Sequence, residues 1–142
     1  MIKKLTIPVD HGNRNMKSTH FLFTTGLSST DRKPAGREDF LQIDGKYYVL
    51  SGKRIPYQRD KTQDERFSIL TRVAIAKELE RTGQVSEEDV VQVSLPIGVP
   101  PKHYAELAER YREYFLGDGK VQELVYNGRT YHTCIQDVAV YP

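Results

Sequence analysis

Residues 7–17, with the sequence IPVDHGNRNMK, decide the fold. An apolar run ends at Asp10, a small polar loop opens at Gly12, and a second extended run begins after Lys17. Glycine has no Cβ, so it lets a ligand come close to the backbone. The N–H groups of such a loop can form an anion-binding nest, and a lysine supplies a point charge for a phosphate. The order strand, aspartate, glycine loop and lysine therefore predicts a site for phosphate and magnesium.

This loop differs from the two commoner phosphate loops. It lacks the Gly-Lys-Ser/Thr ending of a Walker loop, and it does not follow the G-x-G-x-x-G pattern. Both of those loops lead into a helix, whose N-terminus receives the phosphate. The residues that follow here, 19–24, are β-branched and aromatic and predict a strand. A phosphate loop within a β-hairpin is one interpretation, and an ordinary polar turn between two core strands is the alternative.

Length and composition narrow the class of protein. A chain of 142 residues is long enough for one domain with a core. The net charge of +2 gives no case for nucleic-acid binding by bulk charge. The single cysteine, Cys134, excludes an internal disulfide and suits a reducing cytosol. No apolar run approaches the roughly 20 residues that a membrane helix needs. We therefore expect a soluble cytoplasmic protein without a membrane partner.

Two turn signals predict two β-hairpins. Asp44-Gly45 and Asn127-Gly128 each separate two apolar runs, and such pairs favour the positive φ angles of a type I′ turn. The remaining extended patterns predict further strands at 2–9, 16–25, 89–96 and 138–141. Clusters of basic and small residues predict irregular loops at 26–37, which includes Arg37, and at 52–61.

Two helices are predicted between these strands. The first runs from a capping box, with Thr62 as N-cap and Glu65 reaching back, to about Arg81. The second covers 102–115 after a proline and a loop at 96–101. Because its connection from the strand at 16–25 passes through a helix, the strand at 89–96 is expected to have a parallel placement. The pattern predicts one mixed sheet with both helices packed on it.

Three stretches in this order resemble the first half of a bacterial actin-like ATPase of the plasmid-segregation ParM/StbA group. They are residues 9–17, residues 85–96, and the turn at 126–128 followed by IQDVAVYP at 135–142. The resemblance implies an α/β fold of the actin-like (ribonuclease-H-like) type, with a mixed sheet, flanking helices and an inserted β-hairpin subdomain. It also implies ATP and Mg²⁺ as ligands, self-association into filaments, and a DNA-bound adaptor protein as partner.

The resemblance assigns roles to the loop. Asp10 would hold a hydrated magnesium ion and would be the catalytic residue. The nucleotide phosphates would contact Gly12, the N–H groups of Asn13, Arg14 and Asn15, and the side chain of Lys17. His11 and Arg14 stand where many relatives carry small or amide residues, and we expect the Arg14 side chain to point to solvent.

In this family the active site is a cleft between two similar halves. The second phosphate loop and the adenosine-binding motif come from the other half, which would lie beyond Pro142. We therefore expect residues 1–142 to be the N-terminal domain, with ATP hydrolysis only in a full-length protein. Two alternatives are a half-domain of a sugar- or acetate-kinase-like protein and a non-catalytic interaction module of the same fold. Cys134 is expected to be a buried structural thiol.

Overall fold

The computed structural model describes residues 1–35 and 39–142. This part of the chain forms ten β-strands, two α-helices and one short 3-10 helix at Lys61–Gln63. The strands are β1 (Ile2–Thr6), β2 (Val9–His11), β3 (Asn15–Ser18), β4 (Leu22–Thr24), β5 (Leu27–Thr30), β6 (Phe40–Ile43), β7 (Lys46–Leu50), β8 (Val90–Gly98), β9 (Gln122–Tyr126) and β10 (Arg129–Tyr141). The helices are α1 (Arg66–Thr82) and α2 (Pro101–Leu116). Arg37 of the predicted basic loop lies outside the described residues.

The ten described strands form one mixed sheet around β8. β8 runs parallel to β1 and β2 on one side and to β10 on the other. The hairpin of β3 and β4 extends the sheet beyond β2, and β9, β6, β7 and β5 extend it beyond β10. The predicted mixed sheet is confirmed, and the parallel placement predicted for the strand near residue 90 is found with its neighbours β1, β2 and β10.

Both helices cover the same face of this sheet. Side chains alternate across a strand, and alternate residues of β8 from Val91 to Ile97 are at most 3% exposed. His11 lies on the same buried face of β2. Its ring contacts Thr71 of α1 and Phe115 of α2, which places both helices over this face. No helix among the described residues is long and apolar enough to cross a membrane.

Both predicted hairpin turns are confirmed. The φ angles are 50° at Asp44, 80° at Gly45, 51° at Asn127 and 77° at Gly128. The inserted hairpin of β6 and β7 is continuous with the main sheet, because Leu41 of β6 pairs with Tyr126 of β9. The second strand of the hairpin predicted at Asn127-Gly128 and the strand predicted at 138–141 form the single strand β10, with a register irregularity between Ile135 and Asp137.

Two predicted strands are each divided in the structure. The strand predicted at 2–9 ends at Thr6 and resumes as β2, because Pro8 has no N–H to donate to the sheet. The strand predicted at 16–25 reverses after Ser18 and becomes β3 and β4, which pair antiparallel. The Glu78 carboxylate of α1 holds this turn, since it accepts hydrogen bonds from Ser18 Oγ and from the backbone N–H of His20.

Two predicted loops and the predicted capping box also differ from the structure. The loop at 26–37 contains β5, which pairs with β7. The loop at 96–101 is shorter because β8 continues to Gly98. Thr62 does not cap α1, since it lies in the 3-10 helix and its N–H donates to Asp60. The Asp64 carboxylate accepts the Arg66 N–H instead, at 2.9 Å.

Candidate functional site

The loop singled out by the sequence joins two antiparallel strands. Residues 12–14 connect β2 to β3, with Asp10 opposite Lys17 and His11 opposite Met16. The predicted hairpin is therefore present. Asp10 and Lys17 are exposed and adjacent on the face turned away from the helices, whereas His11 and Met16 are buried beneath the helices.

The backbone around Gly12 leaves no room for a side chain at this position. A Cβ at this position would lie 2.5 Å from the carbonyl oxygen of Asn15, which is closer than real Cβ atoms come. The Thr25 hydroxyl donates to the Gly12 carbonyl at 2.8 Å, and the Thr25 N–H donates to the Arg14 carbonyl at 2.9 Å. The sequence prediction attributed this glycine to the approach of a ligand. The structure adds that the glycine permits a tight loop tied down by Thr25.

His11 anchors the loop to the helices. Its Nε2 lies 2.7 Å from the Thr71 hydroxyl, and its ring centroid lies 4.5 Å from that of Phe115. Because the Thr71 hydroxyl donates to the Phe67 carbonyl, the imidazole Nε2–H donates to Thr71. Burial, assisted by the charge of Lys61, lowers the pKa of His11 from 6.5 to about 3. The imidazole is thus a neutral structural group at pH 7.

Two pockets meet at Asp10. The first, of about 470 Å³, is also lined by Gly12 and Asn13 and reaches the start of α2. The second, of about 410 Å³, is lined by Asp10, Lys17, Pro96 and Tyr141, among others. The predicted residues are thus split between two pockets that share Asp10. Arg14 and Asn15 line neither of these two pockets, and Arg14 is exposed as expected.

Lys61 is a feature of the first pocket that the sequence prediction missed. It was predicted to lie in a basic irregular loop, yet the residue is only 9% exposed. Its backbone N–H donates to the Tyr111 hydroxyl at 3.0 Å. Burial lowers the pKa of the ammonium, and the nearby Asp10 carboxylate opposes that shift. No local pattern distinguishes Lys61 from the exposed lysines around it.

Ion pairs hold the segment that carries Lys61 against α2. Arg59 pairs with Glu106, and Asp60 pairs with Arg110. Asp60 also accepts the hydroxyl hydrogen of Thr62 at 2.6 Å. Since the two residues that precede Lys61 are both paired with α2, the position of Lys61 is set by the helix.

The donor chemistry fits a hydrated magnesium ion bound to a phosphate. The Asp10 carboxylate makes no hydrogen bond or ion pair with any residue that the structure describes, so its oxygens are free. Mg²⁺ commonly takes one or two carboxylates and completes its shell with waters and substrate phosphates. In the described part of the chain there is no cluster of three His, Cys, Asp or Glu side chains that could hold a metal by itself. Cys134 is a buried free thiol, as predicted.

Residues 8–142 match the family described as actin like proteins, N-terminal domain. No curated protein sequence matches the chain. Among solved structures, the apo psk41 ParM protein is similar at a TM-score of 0.75 and 14% identity, over 98% of this chain and 49% of that one.

Two further structures show the same likeness. An AlfA filament bound to AMPPNP has a TM-score of 0.69 and 16% identity, over 96% of this chain and 54% of that one. An archaeal actin homologue has a TM-score of 0.70 and 14% identity, over 96% of this chain and 45% of that one. The chain therefore spans about half the length of the structures it matches.

Proposed function

This chain belongs to the family of actin-like protein N-terminal domains, and we propose that it is the nucleotide-binding half of a filament-forming ATPase. The proposed role of that ATPase is to segregate plasmid DNA. The observation that carries the proposal is the hairpin loop of β2 and β3. Asp10 and Lys17 lie opposite each other there, next to a glycine with no room for a Cβ. A carboxylate suits Mg²⁺ and a lysine suits phosphate, so Mg²⁺-ATP is the proposed ligand.

Each part of the loop has a proposed role. Asp10 orients magnesium through water, and Lys17 binds a phosphate oxygen. The N–H groups of Asn13, Arg14 and Asn15 face the β- and γ-phosphates. Among the described residues, the N–H groups of Asn13 and Arg14 donate no backbone hydrogen bond, which leaves them available to an anion. Magnesium, when bound, would neutralise the charge that develops on the phosphates.

The role of Lys17 is tested by titration calorimetry with Mg²⁺-ATP on a protein that contains this chain and the other half of the cleft. Lys17→Ala is expected to weaken binding by about 1.5–3 kcal/mol, the range for hydrogen bonds to charged groups. The matched control is Lys46→Ala, an exposed lysine at the far hairpin turn. Equal affinities of the two variants would contradict the proposed site.

Hydrolysis is proposed to need a second wall of the cleft. Binding pockets usually cover about 70–90% of a ligand, and the loop of this chain contacts the phosphates from one side. Mg²⁺-ATP should therefore bind weakly to the 142-residue chain, with no detectable turnover. In a protein that includes the other half, Asp10→Ala should abolish hydrolysis. Tight magnesium-dependent binding by the chain alone would contradict the two-wall proposal.

Self-association into filaments and binding of a DNA-bound adaptor complete the proposal. One of the similar structures, AlfA, is a filament with AMPPNP. The family match favours this function over the kinase alternative. Electron microscopy of a protein with both halves should show filaments with Mg²⁺-ATP. Their absence, together with the absence of nucleotide binding, would leave the non-catalytic interaction module.

A further inference from the structure

A further pocket shares no lining residue with the two pockets that meet at Asp10. It has a volume of about 270 Å³ and lies between α1, the loop that follows α2, and the hairpin of β9 and β10. Arg72 of α1, Gln122 of β9 and Thr133 of β10 bring polar side chains to its wall. We call this cavity the Arg72 pocket, and its chemistry is separate from that of the loop at 12–14.

The Arg72 guanidinium is partly buried and has no carboxylate partner. Its Nε donates to Gln122 Oε1 at 2.6 Å, and its Nη1 donates to the carbonyl and the hydroxyl of Ser68 at 3.0 and 2.7 Å. Among the residues that the structure describes, Nη2 makes no hydrogen bond and no carboxylate lies within ion-pair distance. Burial lowers the pKa of the guanidinium, and the charges of Tyr114 and Asp118 oppose that shift. One positively charged NH₂ group is therefore left for an acceptor that the chain does not supply.

Two more hydrogen-bond donors lie beside this group. Thr133 is directly opposite Gln122 in the ladder of β9 and β10, and the side chains of such a pair are neighbours on one face of the sheet. Because Gln122 Oε1 accepts from Arg72, the amide Nε2 of Gln122 is left to donate elsewhere. Thr133 is only 4% exposed, and its hydroxyl makes no hydrogen bond with another described residue. Buried polar groups normally have a partner, so the inner wall of the pocket presents three donor groups to one acceptor.

The rim of the Arg72 pocket has the opposite charge. Asp44, Asp118 and Glu123 line it with exposed carboxylates, and Lys120 is the one exposed ammonium among the lining residues. Asp118 Oδ1 accepts the backbone N–H of Lys120 at 2.9 Å, and a Glu123 oxygen lies 4.0 Å from Nε2 of His132. A simple anion would be attracted by the inner wall and repelled by this rim. A ligand with a carboxylate at its inner end and an ammonium at its outer end matches both.

We propose that the Arg72 pocket binds a small zwitterion of the amino-acid type. Its carboxylate accepts hydrogen bonds from Arg72 Nη2, Gln122 Nε2 and the Thr133 hydroxyl, and the bond from the guanidinium is charge-assisted and hence the strongest of the three. Its ammonium lies at the rim, beside the carboxylates of Asp44 and Asp118. The volume lies below the roughly 300–1,000 Å³ of pockets for drug-sized ligands, which restricts the site to small molecules. The site does not depend on nucleotide, since it shares no residue with the loop at 12–14.

The ligand class is tested on the 142-residue chain by amide chemical-shift titration at constant ionic strength. Two series of matched chain length are used: glycine with acetate and ethylamine, and 4-aminobutyrate with butyrate and butylamine. In at least one series the zwitterion should bind about tenfold more tightly than the anion or the amine, because only the zwitterion satisfies both the inner wall and the rim. The amides of Gly119, Lys120, Gln122 and Thr133 should shift. An anion or amine that binds as tightly as the zwitterion in both series, or shifts confined to other amides, would overturn the proposal.

Single substitutions then assign the two ends of the ligand. Arg72→Met should weaken binding of the zwitterion by about tenfold or more, whereas Arg81→Met, at an exposed arginine near the end of the same helix, should bind as the wild type does. Thr133→Val keeps the shape of the side chain without its hydroxyl and should weaken binding about fivefold. Asp118→Asn should weaken the zwitterion but tighten the matched anion, because the charge that attracts the ammonium repels the carboxylate. Equal zwitterion affinities of Arg72→Met and Arg81→Met would overturn the proposal.

Thermal unfolding gives an independent measurement. A ligand that binds the folded state raises the melting temperature, so the zwitterion should raise it in the wild type and in Arg81→Met, but not in Arg72→Met. Equal shifts in all three proteins would contradict the proposed site. Should Arg72→Met fail to fold, Thr133→Val and Asp118→Asn decide, since both keep the guanidinium and its hydrogen bonds to Ser68 and Gln122. Unchanged zwitterion affinity in both of these variants would then overturn the proposal.

Discussion

Two tight hairpin turns in this molecule are built on different principles. At Asn127-Gly128 both residues have positive φ, and a Cβ on Gly128 would meet nothing within 4 Å. At Gly12, by contrast, φ is not in the left-handed region, and a Cβ would collide with the Asn15 carbonyl at 2.5 Å. The first glycine serves the backbone angle, and the second serves close packing.

The contrast extends to what holds each turn in place. The turn at 127–128 needs its own two residues, with one surface hydrogen bond from Asn127 to Glu80 at 3.0 Å. The loop at 12–14 depends on Thr25 and on His11, which reaches both helices. A turn that only reverses the chain is encoded locally, whereas a loop that presents polar groups to a ligand is fixed by distant residues.

The largest loss of stability is expected at Gly12, and the same substitution at Gly128 tests whether the two glycines have different roles. Gly12→Ala should destabilise the chain by about 3 kcal/mol, the upper range for overpacking, because backbone must move. Gly128→Ala should cost about 1 kcal/mol, the price of a left-handed angle at a non-glycine residue. Urea denaturation measures both. A larger loss at Gly128 than at Gly12 would contradict the assignment of the two glycines to different roles.

The second-largest effect is the dependence of the free energy of unfolding on pH, which His11 causes. Its pKa is about 3 when folded and 6.5 ordinarily, so the unfolded chain binds the extra proton between these values. The contribution of His11 to the free energy of unfolding is complete above pH 6.5 and is lost progressively as the pH falls toward 3. Between pH 7 and 5 the loss should be about 2 kcal/mol.

His11→Asn removes this titration and should flatten the stability profile between pH 7 and 5, measured by urea denaturation at each pH. The control is His132→Asn, at a half-buried histidine on β10, which should keep the wild-type slope. A wild-type slope in His11→Asn would show that another group titrates.

The sequence could predict the elements that local chemistry decides. The two turn pairs, the central strand near Val91 and the end of α1 near Arg81 all follow from residues within a few positions. The predicted loop at 12–14 was also recognisable, because aspartate, glycine and lysine carry the chemistry themselves. The order of these elements, an opening hairpin followed by two helix connections, then predicted one mixed sheet.

The rest depends on contacts between residues far apart in the chain. His11 is buried through Thr71 and Phe115, and Lys61 through the pairing of its neighbours with α2. The reversal after Ser18 depends on Glu78, 60 residues away. A histidine, a lysine and a glutamate look like surface residues in sequence, and each is buried by contacts between distant parts of the chain.

The chain reversal after Ser18 is held by the carboxylate of Glu78 on α1. Glu78 accepts hydrogen bonds from Ser18 Oγ at 2.6 Å and from His20 N–H at 2.9 Å, and its pKa is lowered because these bonds outweigh burial. Glu78→Gln should destabilise the chain by about 1–2 kcal/mol, since a buried acceptor loses its charge. Hydrogen exchange should locate the loss in β3 and β4.

The matched control is Glu80→Gln, two residues along α1, where the side chain is exposed and accepts one bond from Asn127. It should change stability by less than about 0.5 kcal/mol. Equal effects of the two substitutions would mean that the turn after Ser18 is held by something other than Glu78.

The smallest expected effect is at the locally encoded turn. Asn127→Ala places a residue with poor left-handed propensity at a φ of 51° and should cost about 1 kcal/mol or less. Binding of Mg²⁺-ATP should not change, as measured by calorimetry. An altered affinity would contradict the distinction between turns that only reverse the chain and loops that bind a ligand.

Because β1 pairs with β8, the first strand cannot pair during synthesis until the ribosome has made β8. Ile2 lies opposite Val90, so β1 has no sheet to join until that part of the chain has been made. At about 5–20 residues per second, translation takes roughly 4–18 s to cover this interval. During that wait the charges of Lys3 and Lys4, which lie within β1, discourage aggregation of the unpaired strand. In the folded chain Lys3 pairs with Asp89 at 3.3 Å, so the same lysine that keeps the nascent strand apart then fixes its register.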